Sequence, residues 1–117
     1  MHDKTIHPLE VHYLPQLPRD KSIGIGCIGA GFIMADCHLV AYRQAGFNPV
    51  GIAARNMEHT KQVAARHAIP RAYQDYREML DDPQVEVVDV AVPPDIQFDV
   101  IREITSRSNR IRGILAQ

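Results

Sequence analysis

The sequence predicts an α/β domain: a parallel sheet of about five strands with helices on both faces, in three α/β/α layers. Three observations carry that prediction. From Ser22 onward, short apolar runs alternate with stretches of helical periodicity. Strands separated by helices pair in parallel, because each crossover carries a helix back over the sheet. The runs are nearly free of polar residues, as strands buried on both faces are. A glycine pair, Gly29 and Gly31, falls where the first run gives way to the first helix.

The elements follow in order. Residues 1–21 read as an N-terminal arm, because Pro8, Pro15 and Pro18 each restrict the residue before them to extended backbone. Ile23 to Ile28 is a short apolar run and the first strand. Residues 32–46 predict a helix with Phe32, Ala35, Leu39 and Tyr42 on one stripe and Gly46 at its end. Pro49 to Ala54 is a second strand, and residues 57–68 a second helix with Thr60, Val63, Ala64 and His67 on its stripe. Pro70 stops that helix, and Tyr73 marks a brief third strand. Residues 75–81 predict a short helix ended by Asp82-Pro83. Val85 to Val92 is the most strand-like segment, rich in valine. Residues 95–108 predict a long helix with Val100, Ile101 and Ile104 inward, and Ile111 to Ala116 a fifth strand.

Composition narrows the function classes. The chain has 117 residues, 45% of them hydrophobic and 23% charged, which is the profile of one globular domain. A formal net charge of -1 gives no basic footprint for nucleic acid. No run approaches the ~18 apolar residues of a membrane span. The polar N-terminus does not read as a signal peptide, so the expected compartment is the cytoplasm. Cys27 and Cys37 form no C-x-x-C pair, which leaves a disulfide framework or a zinc site without support.

The stretch that carries chemistry is Gly29-Ala30-Gly31-Phe32-Ile33-Met34. A glycine turn between a buried strand and a helix reads as a phosphate cradle, the alternative being a plain tight turn from strand to helix. The first glycine permits the tight turn, and the second lets a pyrophosphate approach the backbone. Phe32 and Ile33 open the helix, whose free N–H groups and dipole face the anion. This is the fingerprint of a Rossmann-type, doubly wound fold, and its ligand is a dinucleotide. The third fingerprint position, normally Gly or Ala, is Met34, so the helix is expected to stand further from the strand. At the end of the second strand an NAD site places a carboxylate on the ribose 2′-hydroxyl. Here Ala54-Arg55 stands instead. An arginine there suits the 2′-phosphate of NADP and lies flat on an adenine. NAD stays open, as does a merely solvated arginine. Val92-Pro93-Pro94-Asp95 makes a stiff turn after the fourth strand, with Asp95 at the helix cap. Such a turn stands at the carboxyl end of the sheet, beside the nicotinamide.

The run Ile25 to Ile33, the segment Tyr76-Arg77-Glu78-Met79-Leu80, the Asp82-Pro83 turn and the run Val88 to Pro94 together resemble the glucose–fructose oxidoreductase and inositol dehydrogenase family (Gfo/Idh/MocA). The resemblance covers residues 22–117. It implies a two-domain oxidoreductase whose Rossmann domain binds NAD or NADP. A second domain then supplies the substrate pocket and the contacts of a homo-oligomer. The substrates implied are sugars, cyclitols and related polyols, oxidised at a CH–OH carbon. The departures are specific. The family's Asn and His after the fourth strand correspond to Pro94 and Gln97. Its Glu-Lys-Pro motif reaches this sequence only as Gln117, so no catalytic residue carries over. On this reading the chain is truncated before its substrate domain and inactive by itself.

Other constellations read as bland. His2, His7 and His12, five apart, share no face of a helix or strand. His38 and His67 are each alone on a helix and are expected at its surface or boundary, not as ligands. Cys27 reads as a small buried hydrophobe. Glu86 and Asp89 are too scattered for an acid/base pair. The alternative to an enzyme domain is a non-enzymatic Rossmann module that senses a nucleotide or binds a partner.

Overall fold

The computed structural model describes residues 16–107 and 110–117. Of the expected arm only residues 16–21 are described, and they form neither helix nor strand. His2, His7 and His12, and the end of the last helix at residue 108, lie outside the described residues.

Five strands form one parallel sheet: β1 Gly24–Ile28, β2 Asn48–Ala53, β3 Arg71–Tyr73, β4 Val87–Val90 and β5 Gly113–Ala116, in the order β3-β2-β1-β4-β5. The helices are α1, which runs from Ile33–His38 into Leu39–Ala45, then α2 Met57–Arg66, α3 Tyr76–Leu80 and α4 Pro94–Arg107. The chain steps outward from β1 through β2 to β3, then crosses back to β4 on the far side of β1. The order therefore reverses between β1 and β4, and a crevice opens outside the carboxyl ends of those two strands.

The two faces bury different apolar sets. Ile25, Cys27 and Ile52 pack under Met34, Leu39, Val63 and Ala64 of α1 and α2. Ile28, Val50, Val88 and Val90 pack under Met79, Leu80, Val100 and Ile104 of α3 and α4. Fully burying each Val, Leu, Ile or Met among these contributes about 1.5–3 kcal/mol. Helices on both faces make the three layers that the alternating pattern predicts. The short α3 sits close to the sheet because Gly26 and Gly51 beneath it carry no side chain. A Cβ on Gly26 would lie 2.9 Å from the Met79 methyl.

Several local expectations change. The first helix is not uniformly α. Over Ile33–His38 it is a π-helix, and the Leu39 N–H reaches back five residues to the Met34 carbonyl. Met34, the residue too large for the third fingerprint position, is fully buried within this widened segment. Ala35, Leu39 and Tyr42 of the expected stripe pack inward, but Met34 takes the place of Phe32, which is 69% exposed. Gly46 does end the helix, at φ 80°. β2 contains a bulge opposite Ile25/Gly26. The extra residue switches side-chain parity, so Val50 and Ile52 face opposite layers. Val85 stays outside β4, because its N–H bonds the Asp82 carbonyl in a turn. Pro94 is the first residue of α4, where its missing N–H costs nothing, so Asp95 lies in the first turn and not at the cap.

Two histidines expected at the surface or boundary are structural. His67 is buried. Its Nε2–H donates to the Ala35 carbonyl at 2.7 Å, and its Nδ1 accepts from Arg43 at 3.3 Å, which ties α1 to the end of α2. His38 is paired with Asp89 of β4, a residue the sequence reading set aside. Cys27 is buried as expected, and that burial pushes its thiol far above the ordinary range, with Asp89 adding to the effect. Among the described residues no group of His, Cys, Asp and Glu could hold a metal, and no helix is long and apolar enough to cross a membrane.

Candidate dinucleotide site

A cleft of about 810 Å³ opens at the carboxyl ends of β1, β2 and β4, within the range of small-ligand sites. Its floor is the turn after β1. Gly29 stands at φ 108°, and a Cβ there would lie 2.2 Å from the Ala91 carbonyl oxygen. Only glycine fits, so this position is dictated by the approach of the β4 end. Gly31 differs. A Cβ on it would meet nothing within 4 Å, because it faces the open cleft. The turn is tied down from two sides. The Gly29 N–H donates to the Ala53 carbonyl at 2.9 Å, and the His59 ring donates from Nε2 to the Ala30 carbonyl at 2.8 Å.

The second wall is the β2–α2 loop, with Ala54 and Arg55 lining the cleft. Asn56 caps α2 by accepting the His59 N–H at 3.0 Å, which ends β2 and turns the chain beside the cleft. Arg55 is exposed and makes no hydrogen bond or ion pair with any described residue. Opposite stand Ala91, Val92 and Pro93 at the end of β4, with Ile96, Asp99 and Val100 of α4 behind them.

Of the expected site residues, Gly29, Gly31, Ala54, Arg55, Val92 and Pro93 line this one cleft. Phe32, Ile33, Pro94 and Gln97 do not. The Phe32 and Ile33 side chains are exposed on α1, and only their main chain stands at the helix start, where N–H groups lack intrahelical acceptors. The Gln97 amide donates to the Gln117 carbonyl at 2.5 Å and so ties α4 to the end of β5.

Sequence reasoning missed the β3–α3 rim: Gln74, Asp75, Tyr76 and Arg77 also line the cleft. The Asp75 side chain accepts the Arg77 N–H at 2.9 Å and caps α3. The Arg77 guanidinium lies 4.8 Å from the centre of the Tyr76 ring. Burial, chiefly, pushes the Tyr76 phenol above its ordinary value, so its hydroxyl keeps its proton. The Tyr76 to Leu80 segment was visible as a motif, but only the sheet order brings it beside β1.

These residues fit a dinucleotide. An anion would find unpaired helix-start N–H groups and a glycine without a side chain in the way. A lone guanidinium stands at the β2 end, and apolar walls stand where a flat ring could lie.

Residues 23–111 match the model of an oxidoreductase family with an NAD-binding Rossmann fold, GFO_IDH_MocA. Among curated proteins, trans-1,2-dihydrobenzene-1,2-diol dehydrogenase from Danio rerio is 46% identical over 39 residues, 33% of this chain and 12% of the relative. The Sus scrofa enzyme of the same name is 38% identical over 64 residues, 53% of this chain and 19% of the relative. Among solved structures, an NAD binding oxidoreductase from Klebsiella pneumoniae is 31% identical with a TM-score of 0.64, covering 72% of this chain and 24% of its own. Levoglucosan dehydrogenase in complex with NADH is 28% identical with a TM-score of 0.64, covering 72% of this chain and 25% of its own. The matched segments thus amount to less than a fifth of these curated relatives and about a quarter of these solved chains.

Proposed function

The chain belongs to the Gfo/Idh/MocA oxidoreductase family and matches its NAD-binding Rossmann domain over residues 23–111; on that premise we propose that residues 22–117 form a dinucleotide half-site that prefers NADP to NAD. The observation that carries the reading is the turn at Gly29 and Gly31, where the second glycine faces open space at the floor of the cleft. In this reading the pyrophosphate lies against Gly31 and accepts from the N–H groups of Phe32 and Ile33. Arg55 pairs with the 2′-phosphate in a charge-assisted contact. Val92 and Pro93 wall the nicotinamide end.

The nicotinamide, when bound, exchanges a hydride with a CH–OH carbon. What the chain's own residues do is bind and orient. The full protein acts on a sugar, cyclitol or related polyol. Relatives named as dehydrogenases of levoglucosan and of trans-1,2-dihydrobenzene-1,2-diol support a CH–OH substrate. The 117 residues alone are not expected to turn over, because Gln97 is no base and its amide is held by Gln117. Calorimetric titration of the chain with NADPH and NADH tests the binding. Micromolar to millimolar affinity for either supports a dinucleotide site, and tighter NADPH supports the preference. Absence of binding at millimolar concentration overturns both.

A further inference from the structure

The Ala30 carbonyl accepts a hydrogen bond from His59 Nε2 at 2.8 Å, although the two residues belong to different elements, the glycine turn and the first turn of α2. A carbonyl only accepts, so Nε2 carries the proton. The Ala30–Gly31 peptide is trans, and a trans peptide points its C=O and N–H in opposite directions. Holding the carbonyl toward α2 therefore turns the Gly31 N–H away from α2. Gly31 itself lines the cleft. We infer that His59 is a positioning residue for the phosphate turn: by fixing the Ala30 carbonyl it sets the Gly31 N–H toward the cleft, ready for an anionic oxygen of the dinucleotide. The inference rests on the reading of the cleft as a dinucleotide site.

Two further observations place His59 for that role. Its backbone N–H is held by the Asn56 cap, directly after Arg55, so the ring stands at a fixed distance from the β2–α2 loop. The Gly29 N–H bond to Ala53 anchors the other side of the turn. Gly31 brings no side chain to resist rotation of the peptide between these anchors, and a Cβ there would meet nothing within 4 Å. His59 lies outside the cleft lining and acts only through Ala30.

The test compares the parent 117-residue chain with His59→Leu, which removes the donor, and His59→Gln, whose amide donates from a similar reach. NADH and NADPH affinities are measured by nicotinamide fluorescence, and the Gly31 amide is followed by ¹⁵N NMR. His59→Leu is expected to weaken both cofactors three- to ten-fold and shift the free Gly31 amide resonance. His59→Gln is expected to restore affinity to within two-fold and return the resonance. Should His59→Leu not fold, His59→Asn, whose amide is one carbon shorter, takes its place. Equal affinity of the donor-less variant and the parent overturns the inference, as does a His59→Gln as weak as His59→Leu. A parent that binds neither cofactor removes the dinucleotide reading itself and this inference with it, an outcome visible before any variant is made.

Discussion

His38 Nδ1 lies 2.8 Å from Asp89 Oδ2, and that carboxylate is only 1% exposed, on β4 beside the central strand β1. The same oxygen accepts the Tyr42 hydroxyl at 2.5 Å, while Oδ1 has no hydrogen-bond partner among the described residues. His38 and Tyr42 are four apart on α1, so one helix face supplies both donors. A buried carboxylate is tolerable only while it keeps such partners. Burial and the bond to Asp89 push the Tyr42 phenol well above its ordinary range, which keeps it a donor at any ordinary pH.

Tyr42→Phe should therefore cost about 1.5–3 kcal/mol, the scale of a hydrogen bond to a charged group. His38→Leu removes the other of the two donors and should cost a similar amount. Urea unfolding measures both. The Tyr42→Phe loss should shrink in an Asp89→Asn background, and an unchanged loss there would show that Asp89 is not what the hydroxyl holds.

The two glycines of the turn should separate folding from binding. Gly29→Ala forces a side chain to φ 108° and against the Ala91 carbonyl. The backbone strain alone is about 1–3 kcal/mol, before the steric contact. Gly31→Val meets nothing nearby, so stability should change by no more than about 0.5 kcal/mol. Yet its side chain fills the phosphate space, and NADPH and NADH binding should disappear. Thermal unfolding and calorimetry on the pair give the contrast. A Gly31→Val that binds like the parent means the pyrophosphate does not pass this residue.

The alternation of elements and the glycine turn were legible because both are local: an apolar run, a periodicity and a fixed spacing. What stayed hidden depends on sheet order. His38 and Asp89 are separated by 51 positions and meet only because β4 lies next to β1 under α1. The Gln74–Arg77 rim joins the cleft for the same kind of reason. The π-helical start of α1 was hidden because a single extra residue breaks the 3.6-residue period that reveals a helix. Phe32 then loses its place on the inward stripe. The Gln97 contact with the Gln117 carbonyl was hidden for the same reason as the rim, since it needs α4 and β5 side by side.

Asp82 makes stability depend on acid. Burial acts to raise its pKa, but the Gln84 N–H at 2.9 Å, the Tyr73 hydroxyl at 3.0 Å and Arg71 at 3.0 Å outweigh it and hold the carboxyl below its usual value. Folding thus favours the charged form, and the unfolded chain takes up the proton first as pH falls. This contribution is fully present above the unfolded Asp value, about 3.9, and is lost as pH drops through the lower folded value. The stability gap between the parent and Asp82→Asn should be constant above about pH 5 and narrow below about pH 4. Urea unfolding across that range checks it. A gap that stays constant into acid would mean the carboxylate is not held charged by these three donors.

Arg55 should discriminate between the two cofactors. It follows Ala54 at the end of β2, where an NAD site would place a carboxylate on the ribose 2′-hydroxyl, and it lines the cleft without any partner among the described residues. A free guanidinium gains little from a neutral hydroxyl and much from a dianionic phosphate. The difference is worth roughly 1.5–3 kcal/mol, which is about ten- to hundred-fold in affinity. Arg55→Ala should weaken NADPH by that factor and NADH by less than three-fold, and the NADPH loss should shrink at high salt, because an exposed pair is screened. Arg55→Asp supplies the converse, a carboxylate for the ribose hydroxyl that repels the phosphate, so its preference should pass to NADH. Calorimetry with both cofactors at two salt concentrations reads all of this. Equal losses of the two cofactors in Arg55→Ala would assign the guanidinium to stacking on the adenine, which both share.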